Sequence, residues 1–341
     1  MKKFDARTYL YIAGAAMLLI VALTLYYALT PVSKSAEVEY VYVDADDTQD
    51  SVLAKVQSFS HSAGMTGLST LIRHSNYGQH VRTGRYGISP GENAITVFRR
   101  LKNGQQSSMR LTIPEVRTLD RLASLLSQKL MLDSATIAGT LLNNDSCQQY
   151  GYDTCTIAAL FVPDTYEVWW NMSISSFLHR MQQEHNRFWQ GERQQKADAL
   201  QLTPDEVCTL ASIIDEETAN TAEKPMIAGM YLNRLRAGMP LQADPTVKFA
   251  LKQFALKRIW QKQLTIDSPY NTYRNEGLPP GPIKIASIKG IDAVLNHVQH
   301  DYLYMCAKED FSGTHNFART YKEHLQNAAK YTKALNARGI K

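Results

Sequence analysis

Residues 203–220 read TPDEVCTLASIIDEETAN, and this stretch decides how the second half of the 341-residue chain folds. Thr203 is a favourable N-cap, Pro204 suits the first helical position, and Glu206 completes a capping box with Thr203. The apolar residues that follow recur at helical spacing and are Val207, Leu210, Ala211, Ile213 and Ile214. The stretch therefore predicts a helix that begins at Pro204 and buries one apolar face.

Three acidic residues close this predicted helix, and they lie at different angles from its apolar face. At 100° per residue, Glu217 falls about 50° from the centre of that face, Asp215 about 110° and Glu216 about 150°. We therefore expect Glu216 to face water and Glu217 to be the acid most shielded from it. Burial raises the pKa of a carboxyl and keeps it protonated as a general acid near neutral pH. The alternative is a solvated helix end, although the helix dipole disfavours acids there.

The chain downstream of this helix is rich in proline and glycine. A second helix is predicted over 228–236, closing at Gly238, and is followed by the segments LQADPTV (241–247), SPYNTY (268–273) and GLPPGPI (277–283). Their proline and glycine content predicts ordered but irregular loops. Amide, hydroxyl and aromatic groups on such loops suit sugar binding, because sugar hydroxyls need donors and acceptors and sugar faces stack on rings.

An apolar block of 22 residues without a charge, 8–29, lies near the N-terminus. As a helix it would span about 33 Å, which is enough to cross a bilayer. Lys2, Lys3 and Arg7 precede the block, and mainly acidic residues follow it. The positive-inside rule then places the N-terminus in the cytoplasm and the chain after about Thr30 outside. The alternative is a cleaved signal peptide, but the block is long for one and only a weak small-residue site follows at 33–36.

Residues 37–115 predict a small α+β module of the order strand, helix, helix, strand, helix, strand. The strands are expected at 37–43, 83–88 and 109–113, because apolar and polar residues alternate or turn residues flank them. The helices are expected at 51–59, at 65–75 and from Asn93 to Gly104. This module contains no cluster of Cys, His or carboxylate residues that would indicate chemistry. Further helices are predicted at 118–130, 134–142 and 173–189, and the polar segment 190–201 continues or ends the last of them.

The four cysteines leave two interpretations open. If the chain is exported, Cys147 and Cys155 flank a short polar loop and could form a local disulfide; equally, both could be free, buried small hydrophobic residues. Cys208 and Cys306 lie far apart in apolar surroundings and are expected in the core.

The spacing of the histidines and the small net charge disfavour a metal enzyme and a nucleic-acid-binding protein. His297 and His300 are three apart on a predicted helix, and His315 and His324 follow, but no HExxH or comparable spacing is present. We therefore interpret these histidines as surface and capping residues, expect no metal or other cofactor, and keep a metal hydrolase as an alternative. The net charge of +5 is small and no basic stripe with aromatic residues occurs, so nucleic acid is not an expected partner.

Taken together, these segments resemble the YceG-like (MltG) family of membrane-anchored endolytic murein transglycosylases. The matching pieces are FVPDTY (161–166), LASIIDEET (210–218), YLNRL (231–235), LQADPTV, SPYNTY, GLPPGPI and GTHNF (313–317), while TGRYGISPG (83–91) resembles the family's LysM-like module. They occur in the family's order along the chain. Two positions depart from the family pattern: Asp215 replaces the usual first glutamate of E-x-E-T, and Val162 replaces an aromatic residue.

The resemblance implies an α+β fold in three parts. A cytoplasmic tail and single transmembrane helix would occupy residues 1–30, a linker and the LysM-like module 31–115, and a larger mixed α+β catalytic domain 116–341. The chain would be a single-pass protein of the cell (inner) membrane with its catalytic domain in the periplasm or outside the cell.

The resemblance also implies a reaction and its residues. A lytic transglycosylase cleaves the β-1,4 bond between N-acetylmuramic acid and N-acetylglucosamine without water, leaving 1,6-anhydro ends. The family's catalytic acid falls on Glu217, which the helical angles select independently. The motif positions expected to contact the glycan are Gln242, Asp244, Tyr270, Asn271 and Tyr273. One carboxyl that first donates and then accepts a proton is sufficient, whereas ordinary glycosidases use two.

The expected partners are peptidoglycan glycan strands, the membrane and, by resemblance, peptidoglycan synthases whose nascent strands the enzyme would terminate. A competing interpretation is a non-enzymatic protein that binds peptidoglycan through the 37–115 module and yields no anhydro products. A turnover assay separates the two.

Overall fold

The computed structural model describes residues 5–256 and 259–339 and shows a mixed α+β chain with small two-stranded sheets. The chain forms two compact units. The first contains the residues up to Leu111 together with 129–131 and 167–172, and the second contains 112–128, 132–166 and the residues from Ser173 onward. The small sheets pair β1 (Glu39–Val43) with β2 (Gly84–Ile88), β3 (Met109–Thr112) with β4 (Thr165–Val168), and β5 (Tyr304–Ala307) with β6 (His315–Ala318).

The first helix, α1 (Ala6–Leu29), contains the predicted apolar block. Asp5 caps it by accepting a hydrogen bond from the Thr8 backbone N–H at 2.9 Å. Its apolar side chains are exposed. Within the described residues, it is the helix whose length and composition allow it to cross a membrane. The fold therefore includes an N-terminal helix that is compatible with a membrane anchor.

The rest of the first unit has the element order that the sequence predicts. Its elements are β1 (Glu39–Val43), α2 (Gln49–Gln57), α3 (Ser62–Arg73), β2 (Gly84–Ile88), α4 (Ala94–Asn103) and β3 (Met109–Thr112), whose last residue belongs to the second unit. The strands β1 and β2 are antiparallel. Asn93 caps α4, and Gly104 ends it with a φ of +67°, which suits glycine. A cluster of buried aliphatic and aromatic side chains, among them Val52, Leu68, Tyr86 and Leu101, forms the core of this unit.

The second unit is mainly helical. Its helices are α5 (Leu119–Ser127), α6 (Ser134–Leu141), α7 (Asn144–Gln148), α8 (Ile174–Phe188), α9 (Glu192–Ala199), α10 (Pro204–Glu217), α11 (Lys224–Arg236), α12 (Asp244–Ala250), α13 (Ile288–Leu295) and α14 (Tyr321–Ala337). Its hairpin consists of β5 (Tyr304–Ala307) and β6 (His315–Ala318), which are antiparallel. The strand β4 (Thr165–Val168) is divided between the two units.

Helix α10 lies at the centre of the second unit. It starts with the predicted capping box between Thr203 and Glu206. Every residue from Val207 to Ile214 is buried, so the helix is surrounded by neighbours and does not simply present one apolar face. Helices α11 and α13 pack against it. The position of the last turn of α10 is therefore fixed from several sides.

Three sequence predictions differ from the structure in detail. The polar segment 190–201 contains a separate helix, α9, which begins after Gly191. Gly191 has a φ of +70°, which lies outside the right-handed helical region and so separates α9 from α8. Residues 244–250 form the short helix α12, because Pro245 occupies a first-turn position that needs no N–H donor. Helix α13 ends at Leu295, so His297 and His300 lie beyond it, and the prediction that they share a helix is wrong.

The cysteines are all free in the structure. Cys147 is buried, and its thiol donates to the Leu141 carbonyl at 3.4 Å. Cys155 is partly exposed and Cys208 is buried in the core of the second unit. The structure therefore shows no disulfide between Cys147 and Cys155. Cys147 and Cys208 are buried as predicted, but Cys155 and Cys306 are only partly buried, so the predictions that they are buried are wrong.

Candidate active site

Glu217 is the last residue of α10, and its carboxyl group meets a buried tyrosine of α11. The Tyr231 hydroxyl donates a hydrogen bond to Glu217 Oε1 at 2.7 Å, and Tyr231 is 1% exposed. Burial raises the pKa of Glu217; the hydrogen bond from Tyr231 opposes that shift, and the negative charge of Asp244 adds to it. The carboxyl is thus held toward its neutral form while part of the residue still faces a cleft. It can donate a proton.

A buried ion pair fixes the helix turn that carries Glu217. The Asp215 carboxylate pairs with Lys224 at the start of α11 and accepts hydrogen bonds from the Ser287 backbone N–H at 2.6 Å and hydroxyl at 2.8 Å. The Asp215 side chain is 1% exposed. A Cβ atom at position 290 would lie 2.5 Å from Asp215 Oδ1, so only glycine at this position permits the close approach of α13 to Asp215. Three helices are joined at one carboxylate.

Glu216 does not face open water as the helical angles predict. Its carboxylate lies 2.8 Å from Arg117 and 3.7 Å from Lys284, and the side chain is 17% exposed. Asp215 is more buried than predicted as well. The reason is that α10 is packed on all sides, so the angle from one apolar face does not measure distance from water.

Two residues on the far side of the cleft are joined by a hydrogen bond. Tyr273 donates its hydroxyl proton to Asp244 Oδ1 at 2.7 Å, and Asp244 begins α12. Gln242 precedes this helix with a φ of +51°, held by a bond from its backbone N–H to the Thr272 carbonyl at 3.0 Å. The segments 241–247 and 268–273 are therefore bonded to each other, which places Gln242, Asp244 and Tyr273 together.

Arg234 supports the same loop from α11. Its guanidinium donates to the Leu303 carbonyl at 2.6 Å, the Leu241 carbonyl at 2.9 Å and the Gln242 side chain at 3.3 Å. Arg234 lies three residues after Tyr231, on the same face of the helix. Both residues belong to the YLNRL motif (231–235), which is the signal that could have placed them in the site, although neither is predicted there from the sequence.

His315 forms another wall of the cleft and was also missed as a site residue. It begins β6, and its backbone N–H donates to Glu223 Oε1 at 2.6 Å. Its ring nitrogen Nδ1 lies 3.0 Å from Glu223 Oε2. His315 lies in the GTHNF motif, but no local pattern predicts its pairing with Glu223, because the two residues are 92 positions apart.

These groups surround one cleft with a volume of about 220 Å³. Its lining residues are Glu217, Met230, Tyr231, Arg234, Leu241, Gln242, Asp244, Tyr273, Met305, Cys306, Ala307 and His315. The structure thus brings four of the residues selected from the sequence together: Glu217, Gln242, Asp244 and Tyr273.

The structure does not bring Tyr270 and Asn271 into this cleft. The Tyr270 ring packs on Phe249 with 4.7 Å between ring centroids and lines a separate, mostly apolar cavity. Asn271 is fully buried, and its amide donates to the carbonyls of Leu264 at 2.9 Å and Ile266 at 2.8 Å. Both residues shape the loop that positions Tyr273.

The cleft therefore offers proton transfer at Glu217, a second carboxylate at Asp244, and polar donors and acceptors around them. Among residues 5–256 and 259–339, no group of three or more His, Cys, Asp or Glu side chains is arranged to hold a metal ion. A group that donates a proton next to groups that bind hydroxyls suits cleavage of a glycosidic bond.

Comparison with known proteins gives consistent results. The sequence profile of the YceG-like family matches residues 41–330. The chain is 44% identical over 128 residues to the endolytic murein transglycosylase of Bacillus subtilis (strain 168), a match that covers 38% of this chain and 35% of that protein. It is 25% identical to the endolytic murein transglycosylase of Streptococcus pneumoniae serotype 2 (strain D39), covering 85% of this chain and 58% of that protein.

A solved structure is also similar. The 2.6 Å crystal structure of a YceG-like protein from Listeria monocytogenes superposes with a TM-score of 0.54 at 25% identity, covering 86% of this chain and 99% of that one. In both sequence relatives, the matched region covers less than two thirds of the relative's length.

Proposed function

The chain belongs to the YceG-like family, and from this membership we propose that it is an endolytic lytic transglycosylase of peptidoglycan. Its substrate would be the glycan strand, and the bond cleaved would be the β-1,4 bond between N-acetylmuramic acid and N-acetylglucosamine. The names of two relatives, each an endolytic murein transglycosylase, support this substrate class.

The observation that carries the proposal is the environment of Glu217. Its carboxyl opens onto a polar cleft, its pKa is raised by burial, and the hydrogen bond from Tyr231 fixes one oxygen at 2.7 Å. A neutral, oriented carboxyl is the group that protonates a glycosidic oxygen. Such general acid catalysis contributes about 10²–10⁴-fold to the rate.

The reaction needs no water and no second substrate. Glu217 protonates the bridging oxygen as the bond to the muramic C1 breaks. The C6 hydroxyl of the same sugar then bonds to C1, losing its proton and closing the 1,6-anhydro ring. The Glu217 carboxylate is left as a base that can accept this proton, so one carboxyl is sufficient. The remaining acceleration comes from positioning the strand and stabilising the positive charge that develops at C1.

We assign direct glycan contact to Gln242, Asp244 and Tyr273, which share the cleft with Glu217. Tyr270 and Asn271 act on binding through the loop they support. A hydrolytic glycosidase is the second candidate function, because Asp244 supplies a second carboxylate whose charge acts on Glu217. The two functions give different ends: an anhydro ring or a reducing sugar.

The proposal extends to the place of action. Residues 1–30 would form a cytoplasmic tail and anchor in the inner membrane, 31–115 a linker and LysM-like module, and 116–341 the catalytic domain outside the cytoplasm. The anchor would hold Glu217 near the membrane face where new strands emerge. There the enzyme would terminate strand elongation in cooperation with peptidoglycan synthases.

Mass spectrometry of the fragments released from purified peptidoglycan tests this function. The expected fragments carry 1,6-anhydro-muramic ends and include internal pieces longer than a disaccharide. The Glu217→Gln variant is the control, and its release of fragments is expected to be lower by about 10²–10⁴-fold. Newly formed reducing ends in the wild-type products would instead establish hydrolysis, and no release at all would contradict both enzymatic functions.

A further inference from the structure

The second unit contains a cavity of about 200 Å³ that is separate from the cleft around Glu217. The rings of Phe249, Phe254 and Tyr270 form part of its apolar wall. The ring centroids lie 4.7 Å apart between Tyr270 and Phe249 and 6.3 Å apart between Phe249 and Phe254. The cavity can therefore hold a small apolar group, such as a side chain of a short peptide.

A smaller space of about 110 Å³ extends from this cavity toward the cleft. It shares three lining residues with the cavity and also touches Glu216 and Pro245. Glu216 directly precedes Glu217, and Pro245 directly follows Asp244. Along α12, the rise from Asp244 in the cleft to Phe249 in the cavity is about 7.5 Å. Two or three residues of an extended peptide span this distance, because each advances the chain by about 3.3–3.6 Å.

Two cations of the cavity wall, Arg117 and Lys284, have donors to spare. The Lys284 side chain is 11% exposed, and its ammonium lies 3.4 Å from Glu115 and 3.7 Å from Glu216, which is long for a charged hydrogen bond. Arg117 directs Nε and Nη2 at the same oxygen of Glu216, at 2.9 Å and 2.8 Å. An ammonium has three donors and a guanidinium five, so both groups can also bind the carboxylate of a ligand.

A third cation, Lys252, lines the cavity in an uncommon backbone conformation. Its φ of +55° lies in the left-handed region that favours glycine at the end of a helix, and Lys252 follows the C-cap of α12. Its ammonium makes no ion pair with any residue that the structure describes. Among the described lining residues, these three cations face one acid, Asp120. A ligand with a small apolar part and a carboxylate matches this wall.

We propose that this cavity binds the peptide stem, the short peptide attached to the muramic acid of a peptidoglycan strand, through a carboxylate and a small side chain. This inference rests on the proposed transglycosylase function and adds to it a preference for strands that carry peptides. Arg117 and Lys284 bind the carboxylate, Lys252 adds attraction, and the aromatic rings contact the apolar part. The cleft and the cavity then hold a sugar and its peptide together, which fixes the strand at two points.

The test compares kcat/KM for anhydro-fragment release from uncrosslinked strands that carry peptides and from the same strands after an amidase has removed the peptides. The wild-type chain is expected to prefer the peptide-carrying strands about tenfold. Lys284→Met keeps the length of the side chain without its charge and should abolish most of this preference. Lys252→Asn removes the neighbouring charge with a residue that tolerates a positive φ, and should lower the preference about threefold.

Lys322→Gln is the matched control, because it removes one positive charge from an exposed position of α14 and should keep the wild-type preference. An effect that reached Glu217 through Glu216 would change both rates alike and cancel in their ratio. A wild type without the preference, cavity variants that keep it, or a control that loses as much as they do would each overturn the stem site. Newly formed reducing ends, or no release from either substrate by wild type, would overturn the proposed function instead, so the two failures are distinguishable.

Discussion

Three carboxyl groups lie on the last turn of α10, and the surroundings of two of them, Asp215 and Glu217, differ completely. Asp215 meets a cation and two hydrogen-bond donors, and its side chain is 1% exposed. Glu217 has one hydroxyl partner, opens onto the cleft, and has its pKa raised by burial. Both acids belong to the same helix turn, so burial alone does not determine what a carboxyl does. The difference lies in the partners, which hold one acid in an ion pair and leave the other able to give up a proton.

The largest effect is expected from Glu217→Gln. The amide keeps the size of the side chain and its position but cannot donate the carboxyl proton. We expect release of glycan fragments to fall by about 10²–10⁴-fold, as measured by mass spectrometry of digested peptidoglycan. The thermal unfolding midpoint should not fall. Activity near that of wild type would show that Glu217 is not the catalytic acid. The functional difference between Glu217 and Asp215 would then be contradicted as well.

Asp215→Ala is expected to lower stability, whereas Glu217→Gln is expected to lower activity and leave stability unchanged. The loss of Asp215 leaves Lys224 buried without its partner, which costs about 3–5 kcal/mol of the free energy of unfolding. Urea denaturation measures this loss. The double variant Asp215→Ala, Lys224→Met is the matched control and should recover part of the stability, because it removes the unpaired charge. A loss below about 1 kcal/mol would mean that the ion pair does not hold the turn.

A smaller effect concerns stability and pH. The pKa of Glu217 is higher in the folded chain than in the unfolded one, so the folded state binds more protons between those two values. The stabilising contribution of Glu217 is therefore fully present below the pKa of the unfolded chain and is lost as pH rises through the pKa of the folded chain. The total loss is about 1.4 kcal/mol for each unit by which the folded pKa exceeds the unfolded one. The unfolding free energy of wild type minus that of Glu217→Gln should decrease over this window. A flat difference would show that Glu217 is not held toward its neutral form.

Tyr231→Phe removes the hydroxyl that donates a hydrogen bond to Glu217. The hydrogen bond from Tyr231 lowers the pKa of Glu217, so its removal should raise that pKa further. The loss of activity at high pH should then shift to higher pH, with a several-fold change in rate at neutral pH. The pH dependence of fragment release measures the shift. A shift toward lower pH would contradict the assigned role of the bond.

The smallest effect is expected from Glu216→Gln. The Glu216 side chain is 17% exposed, but its closer partner Arg117 is 47% exposed. The glutamine amide oxygen can still accept a hydrogen bond from that guanidinium, so losing the charge is expected to cost about 1 kcal/mol or less. Activity and stability should both remain close to wild type. A loss of activity as large as that of Glu217→Gln would indicate that Glu216, and not Glu217, is the catalytic acid.

Local signals in the sequence predicted much of the fold. The capping box at Thr203, the cap at Asn93 and the stop at Gly104 are each set by a few neighbouring residues, and the helices begin or end there. The order of elements in the first unit follows from alternation and turn residues in the same way. Helix α12 was missed because loop-forming residues dominate its surroundings and only Pro245 in its first turn indicates a helix.

The candidate site could be predicted only in part. The angle of Glu217 on α10 depends on local geometry, and so the sequence could select it. The angles did not predict the burial of Asp215 or the pairing of Glu216, because these depend on α11, α13 and residues near Arg117 that pack around the helix. Tyr270 and Tyr273 are three residues apart in one motif, yet only Tyr273 reaches the cleft. Which side chain of a loop faces the cleft is decided by tertiary packing.

The Glu223–His315 contact has a consequence for the order in which the site assembles. Glu217 and Tyr231 are 14 residues apart, a short loop that closes early, whereas Glu223 and His315 are separated by 92. During synthesis, a chain that has not yet reached β6 contains the acid and its tyrosine but lacks one wall of the cleft. We expect such a chain to be inert toward glycan, so activity would begin only after the hairpin docks. Pulsed hydrogen exchange during refolding checks this order, and protection at His315 before protection at Tyr231 would refute it.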